Sequence, residues 1–212
     1  MKNNIIALWF VPINSCLKPI SLQEIKWKKK LSNNRAIQYE HSRGHVREVL
    51  SHILEIPALE IPLISPPGMP PELPEGMGYL SFSHCSDALI LVWHAERIGI
   101  DIERIDRDFN YAKLAKKYFF NANSYKTTSE FYKNSILNQW CAVEAAIKWD
   151  HGKLAEDIKE WQYSENDKIL FHKKKKLKLK FTQINLDKWT ISLAYKDTSH
   201  FIPNIICSSK MV

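Results

Sequence analysis

The sequence predicts an α+β protein in two halves, each built from a helix and a small sheet. Three observations point there. An apolar run rich in β-branched and aromatic residues opens the chain, helical periodicity occupies two later stretches, and the tail alternates polar with apolar residues. At 212 residues the chain is long enough to bury a core without disulfide or metal support. Its 45% hydrophobic and 25% charged content excludes collagen, coiled coil and extended disorder.

The first element is a buried strand over Ile5 to Val11. A secretory leader fits less well: the apolar run is short, Pro12 interrupts it, and a single Lys2 precedes it. A polar stretch follows. Ser32 then caps a helix running to about Leu54, with Ile37, Val46, Val49, Leu50 and Ile53 supplying its apolar pattern. Seven prolines from Pro57 to Pro74 forbid regular helix or central strand, leaving either a connecting loop or a stiff wall beside a ligand. Three short strands follow, over Tyr79 to Ser83, Ala88 to His94 and Arg97 to Glu103. A helical middle spans about Tyr111 to Gly152, with a break near Asn121 to Ser124. From Ile158 onward the pairs Trp161/Tyr163, Ile169/Phe171, Leu177/Leu179/Phe181 and Trp189/Ile191/Leu193/Tyr195 predict an antiparallel meander.

Thirty basic against 23 acidic residues give a net charge of +7, which favours an anionic partner without naming it. The cysteines Cys16, Cys85, Cys141 and Cys207 lie far apart and form no CxxC pair. Zinc finger, thioredoxin-like site and disulfide framework are poorly supported, and buried or half-buried thiols in a reducing compartment are expected. No window approaches the length of a membrane-spanning helix.

Four groups of residues carry chemical potential. In Gly99-Ile100-Asp101-Ile102-Glu103 the two carboxylates share one strand face, a plausible half-site for a hard cation, while Ile100 and Ile102 face the core. In Trp140-Cys141-Ala142-Val143-Glu144-Ala145-Ala146-Ile147-Lys148, positions 140, 144 and 148 share one helix face; taken alone, Glu144 and Lys148 read as a surface ion pair. Ser83 and His84 close a strand at a tight turn, without the surroundings of an acyl-transfer dyad. Arg35, Arg43 and Arg47 fall in one helical sector, suited either to holding phosphate or to facing solvent. The run Lys173 to Lys180 alternates with Leu177, Leu179 and Phe181, so a basic hairpin is expected rather than a nucleic-acid tract.

Taken in order, Phe82-Ser83-His84, then Gly99-Ile100-Asp101-Ile102-Glu103, then Trp140-x-x-x-Glu144-Ala145-x-x-Lys148 resembles the Sfp-type 4′-phosphopantetheinyl transferases, over roughly residues 5 to 195. The resemblance implies a pseudo-dimer of two similar α/β subdomains, here residues 1–105 and 106–212, with the active site in the cleft between them. It implies transfer of phosphopantetheine from coenzyme A to a serine of an acyl or peptidyl carrier protein, releasing adenosine 3′,5′-bisphosphate. Asp101, Glu103 and Glu144 match the family's Mg²⁺ ligands. Glu144 also matches the residue proposed to deprotonate the serine, and Lys148 matches the lysine that supports charge on the leaving group. Ser83, His84 and Arg43 match positions that contact coenzyme A phosphates, His84 being counted with the catalytic group; Arg35 and Arg47 follow more loosely. The sequence departs from the pattern at Met69 and Val143, where the family carries lysine.

On this resemblance the chain is expected to be a cytoplasmic monomer that uses coenzyme A as donor and an acidic apo-carrier protein as acceptor. No nucleic-acid or membrane partner is expected. A non-catalytic basic binding protein that retains the fold, and a Mg²⁺-dependent phosphodiesterase, are the alternatives.

Overall fold

A computed structural model describes residues 4–119, 130–196 and 201–207. The opening apolar run forms β1 (Asn4–Pro12). Helix α1 (Leu22–Lys28) lies in the stretch read as merely polar, closed by a capping box in which Ser21 Oγ accepts from the Glu24 N–H and the Glu24 carboxylate accepts from the Ser21 N–H. Helix α2 (Asn33–Leu54) has Ser32 as its N-cap residue. Strands β2 (Tyr79–His84) and β3 (Ala88–His94) form a hairpin, and β4 (Ile98–Arg104) follows. Then come α3 (Tyr111–Tyr118), α4 (Glu130–Trp149) and α5 (Leu154–Asp157). Strands β5 (Trp161–Ser164), β6 (Ile169–His172), β7 (Leu177–Leu186) and β8 (Trp189–Tyr195) are the expected meander, and β9 (Phe201–Cys207) closes the order. The helix break expected near Asn121 to Ser124 lies outside the described residues.

The architecture is α+β with two sheets, and the chain divides into two units. The first comprises residues 1–97 and 201–212, the second residues 98–200. A boundary at 105 therefore needs correcting at both ends. Strand β4 pairs with β8 along its whole length and belongs to the second unit, while β9 pairs in parallel with β1 and returns to the first.

In the first unit the sheet order is β2-β3-β1-β9. Val46, Val49 and Leu50 of α2 pack on Val11, Leu80, Leu89 and Leu91 of this sheet, with Ile61 and Leu63 of the proline-rich segment sealing the layer. Ile37 departs from the expected apolar face and is exposed. The proline-rich segment forms no regular element beyond one bridge between Ile64 and Glu72.

The second unit is a five-stranded sheet ordered β4-β8-β7-β6-β5, antiparallel throughout, with α4 packed against it. Ala142, Val143, Ala145 and Ala146 of α4 are fully buried in its core. Small residues bring helix and strand together. A Cβ on Gly99 would stand 2.0 Å from the Ala145 carbonyl oxygen, so only glycine permits this approach of α4 to β4. The period-two pattern is inverted on β6, where Leu170 and His172 are buried and Ile169 and Phe171 only half-buried. The lysine run is the predicted hairpin: Lys173 to Lys176 form its turn, and Leu179 and Phe181 point inward. Among the described residues no helix is long and apolar enough to cross a membrane. All four cysteines are free; Cys16 is exposed, against expectation, and Cys141 buried.

Candidate functional site

The second unit gathers the acidic strand and the helix bearing Trp140, Glu144 and Lys148 into one cluster. Strand alternation points Gly99, Asp101 and Glu103 to one face, and the Gly99 contact shows that this face meets α4. The carboxylates are therefore not on a wet outer face, as alternation with Ile100 and Ile102 suggested: Asp101 is 2% exposed and Glu103 9%. From α4, Lys148 Nζ stands 2.6 Å from Asp101 Oδ1, and Trp140 Nε1 donates to Glu103 Oε1 at 2.9 Å. Glu144 lies one turn from each of these residues on the same helix. Lys148 thus pairs across to the strand, 47 positions away in sequence.

Burial and crowding set the charge states. Burial first, then the Asp101 charge, push the Glu103 carboxyl up to about 7, against Arg107 and the Trp140 hydrogen bond, which favour ionisation. The same two causes push Glu144 up to about 8, with Lys148 opposing. Burial works against the Lys148 ammonium, yet Asp101 and Glu144 hold its pKa above the ordinary lysine value. The result is two carboxyls poised to bind or release protons near neutrality beside a cation that stays charged.

Sequence reasoning missed two components. Arg107 Nη1 donates to Glu103 Oε2, four residues along, and its guanidinium lies over the Phe109 ring. The i,i+4 spacing of Glu103 and Arg107 was the available signal. The other is a polar floor across three strands. Thr190 and Ser192 on β8 stand opposite Glu103 and Asp101, and Gln183 on β7 donates to the hydroxyls of both. Thr190 in turn donates to Asn138 Oδ1 at 3.0 Å. Nothing in a single strand's sequence announces such a row.

Asp101, Glu103 and Glu144 suit a hard divalent cation in donor chemistry, being three carboxylate-bearing residues, with the Asp101 charge raising the proton affinity of the other two. As placed, no three acidic, histidine or cysteine side chains among the described residues stand in a metal-ligating group. Lys148 already engages one Asp101 oxygen and Arg107 one Glu103 oxygen. The fit lies in the donors rather than in a preformed cage.

Of the residues expected to bind coenzyme A, Arg35, Arg43, Arg47, Ser83 and His84 lie in the first unit and Lys148 in the second. Arg47 requires correction. It is 2% exposed; its Nε donates to Glu24 at 2.7 Å and its Nη1 to the carbonyls of Ala58 and Ile61. Glu24 is itself fully buried, so the pair ties α1, α2 and the proline-rich segment together and is spent on the fold. Arg43 is also buried, stacked between the Tyr39 and Phe82 rings, donating from Nε to the Ser65 carbonyl and from Nη1 to Ser42 Oγ. Arg35 is exposed, so the three arginines do not form one basic face. Ser83 is buried and His84 exposed at the end of β2. Phe82 lies under Arg43, so alternation turns Ser83 to the opposite sheet face and leaves His84 on the side of α2. Val143, where a lysine was expected, is fully buried in the apolar core, while Met69 is exposed.

No protein-family model matches this chain, and no curated protein matches it.

Proposed function

We propose that this protein is an Sfp-type 4′-phosphopantetheinyl transferase with the two-halved fold of that family, moving phosphopantetheine from coenzyme A to a carrier-protein serine. One observation carries the reading. Motif residues far apart in sequence converge in the second unit, with Lys148 on Asp101 and Trp140 on Glu103. A surface Glu144–Lys148 pair would have needed no such meeting.

In this reading Asp101, Glu103 and Glu144 hold Mg²⁺, which when bound neutralises pyrophosphate charge. Glu144, one turn from Lys148 on α4, would take the proton of the carrier serine. The serine oxygen forms a bond to the phosphorus bearing the pantetheine arm, the pyrophosphate P–O bond breaks, and adenosine 3′,5′-bisphosphate leaves. Lys148, held charged, stabilises the negative charge that develops there. Arg107 and Trp140 fix the Glu103 carboxylate from two sides. The net charge of +7 favours encounter with an acidic carrier.

The test is intact mass spectrometry of an apo-carrier protein after incubation with coenzyme A and Mg²⁺. The carrier gains one phosphopantetheinyl group with the wild type and none with Glu144→Gln. The apolar setting of Val143 favours a second reading, a fold relative without the reaction. Absence of any mass gain across several carriers, with folded protein, would select it.

A further inference from the structure

Helix α1 shows one face to solvent, and the contacts of its other face settle which. Glu24 is fully buried, accepting from Arg47 and from the Ser21 N–H. At about 100° per residue, Leu22, Ile25, Lys26 and Lys29 fall opposite Glu24 in a single stripe. Lys29, the C-cap residue, keeps helical backbone angles, so the stripe runs unbroken to it. Leu22 is 79% exposed and Ile25 37%, and Lys26, Lys29 and Lys30 are exposed as well.

A single exposed leucine means little. This stripe differs in what accompanies it. Two branched aliphatic side chains fill one turn, and lysines fill the next. Lys28, on the flank, is paired with Glu40 at 2.5 Å, whereas Lys26, Lys29 and Lys30 make no ion pair among the described residues. The one carboxylate that α1 carries, Glu24, is turned inward against Arg47. The patch therefore joins apolar side chains standing in solvent to three positive charges with no local anion, in a protein already at +7.

The surface that complements both parts is anionic and takes up convex apolar groups. Nucleic acid, or a purely acidic protein face, answers the lysines but not Leu22 and Ile25. A protein groove answers the apolar pair only where its shape matches a protruding helix. The headgroup layer of an anionic bilayer does both without shape matching. Aliphatic side chains enter the acyl boundary, while lysine stems lie along it and keep their ammonium groups among the phosphates.

We propose that α1 docks this protein on anionic lipid bilayers, with Leu22 and Ile25 inserted and Lys26, Lys29 and Lys30 on the headgroup phosphates. The contact is peripheral and reversible, needs no spanning helix, and departs from the expectation of no membrane partner. It is independent of the transferase reading and survives its failure.

The test is co-sedimentation of the whole 212-residue chain with sucrose-loaded vesicles, either phosphatidylcholine alone or an equal mixture of phosphatidylcholine and phosphatidylglycerol. With the mixture, half of the protein is expected to sediment at about 1 mM accessible lipid; phosphatidylcholine alone is expected to require at least about tenfold more. Leu22→Gln changes a side chain already in solvent, so it folds like the wild type, and its binding is expected to weaken about fivefold. Lys26→Glu/Lys29→Glu is expected to weaken binding at least about tenfold. Lys176→Glu/Lys178→Glu makes the same change of net charge in the second unit and is expected to cost less than about threefold. The proposal is overturned if the mixed vesicles do not carry the protein down, if Leu22→Gln binds unchanged, or if the second-unit variant loses as much as the α1 variant. Unchanged binding of Leu22→Gln together with loss in Lys26→Glu/Lys29→Glu would assign the patch to an acidic partner protein instead.

Discussion

Raising the pH from 5 to 9 in the absence of divalent cations is expected to destabilise the protein through Glu103 and Glu144. Both carboxyls are pushed above the ordinary value of 4.5, to about 7 and about 8, by burial and by Asp101. Between pH 4.5 and these values the folded state keeps protons that the unfolded chain has released. Stability therefore falls as pH rises through that window, and is fully present only below it. Each tenfold gain in proton affinity on folding corresponds to about 1.4 kcal/mol. The two groups share the Asp101 charge, so their losses do not add, and a combined loss of about 2–4 kcal/mol is expected. For a chain of this size that is roughly 5–15 °C in Tm. Urea melts followed by circular dichroism at each pH measure it, on the wild type and on Glu103→Gln/Glu144→Gln, whose amides do not titrate. The double variant is expected to flatten the decline. Mg²⁺ is expected to stabilise the wild type at pH 8–9 and not at pH 5, where it competes with protons for the same oxygens. Parallel declines for wild type and double variant would refute the placement of these titrations in the β4–α4 cluster.

Three further outcomes follow from the packing. Arg47→Met is expected to cost about 3–5 kcal/mol by stranding the buried Glu24 carboxylate, with most of the loss recovered in Arg47→Met/Glu24→Leu; urea denaturation reads both. Gly99→Ala is expected to lose about 3 kcal/mol or more, since its Cβ meets the Ala145 backbone rather than a movable side chain; thermal melts and soluble yield report it. On the acid side, burial lowers the pKa of His41 and His45, whose rings pack at 4.6 Å, so they stabilise above their unfolded value of 6.5 and stability falls as pH drops below it. His41→Phe is expected to make that acid decline shallower in the same melts.

Elements whose own residues dictate them were legible. β1 and β3 announce themselves as continuous apolar runs, the meander by period-two alternation, and the proline-rich segment by exclusion of everything regular. What could not be read was which faces find a cover. The outward face of Gly99-Ile100-Asp101-Ile102-Glu103 looks solvated until α4 is laid over it, and that contact depends on a glycine and an alanine 46 positions apart. Arg47 looks like a surface cation because its partner Glu24 sits on a helix of seven residues, too short to register as a period. Helix α1 was hidden for the same reason. β9 contains Pro203 and pairs with a strand at the far end of the chain, so no local turn signals it. That Trp140, Glu144 and Lys148 belong with Asp101 and Glu103 was legible only through the family resemblance of the ordered motifs, and Arg107 and the Gln183–Thr190–Ser192 floor were not legible.

The parallel pairing of β1 with β9 has a consequence for biogenesis. Residues 98–200 are an insertion within the first unit, whose sheet takes its outermost strand from the last part of the chain. During synthesis β1 must wait, with one hydrogen-bonding edge open, until everything between has emerged from the ribosome. Closing so long a loop is slow, and an unpaired edge is an invitation to aggregate. The second unit, contiguous from 98 to 200, has a shorter delay of the same kind, since β4 waits for β8. A nascent chain would thus present a finished acidic cluster before it had a finished first sheet, and a truncation ahead of Phe201 would leave that sheet permanently short of its last strand.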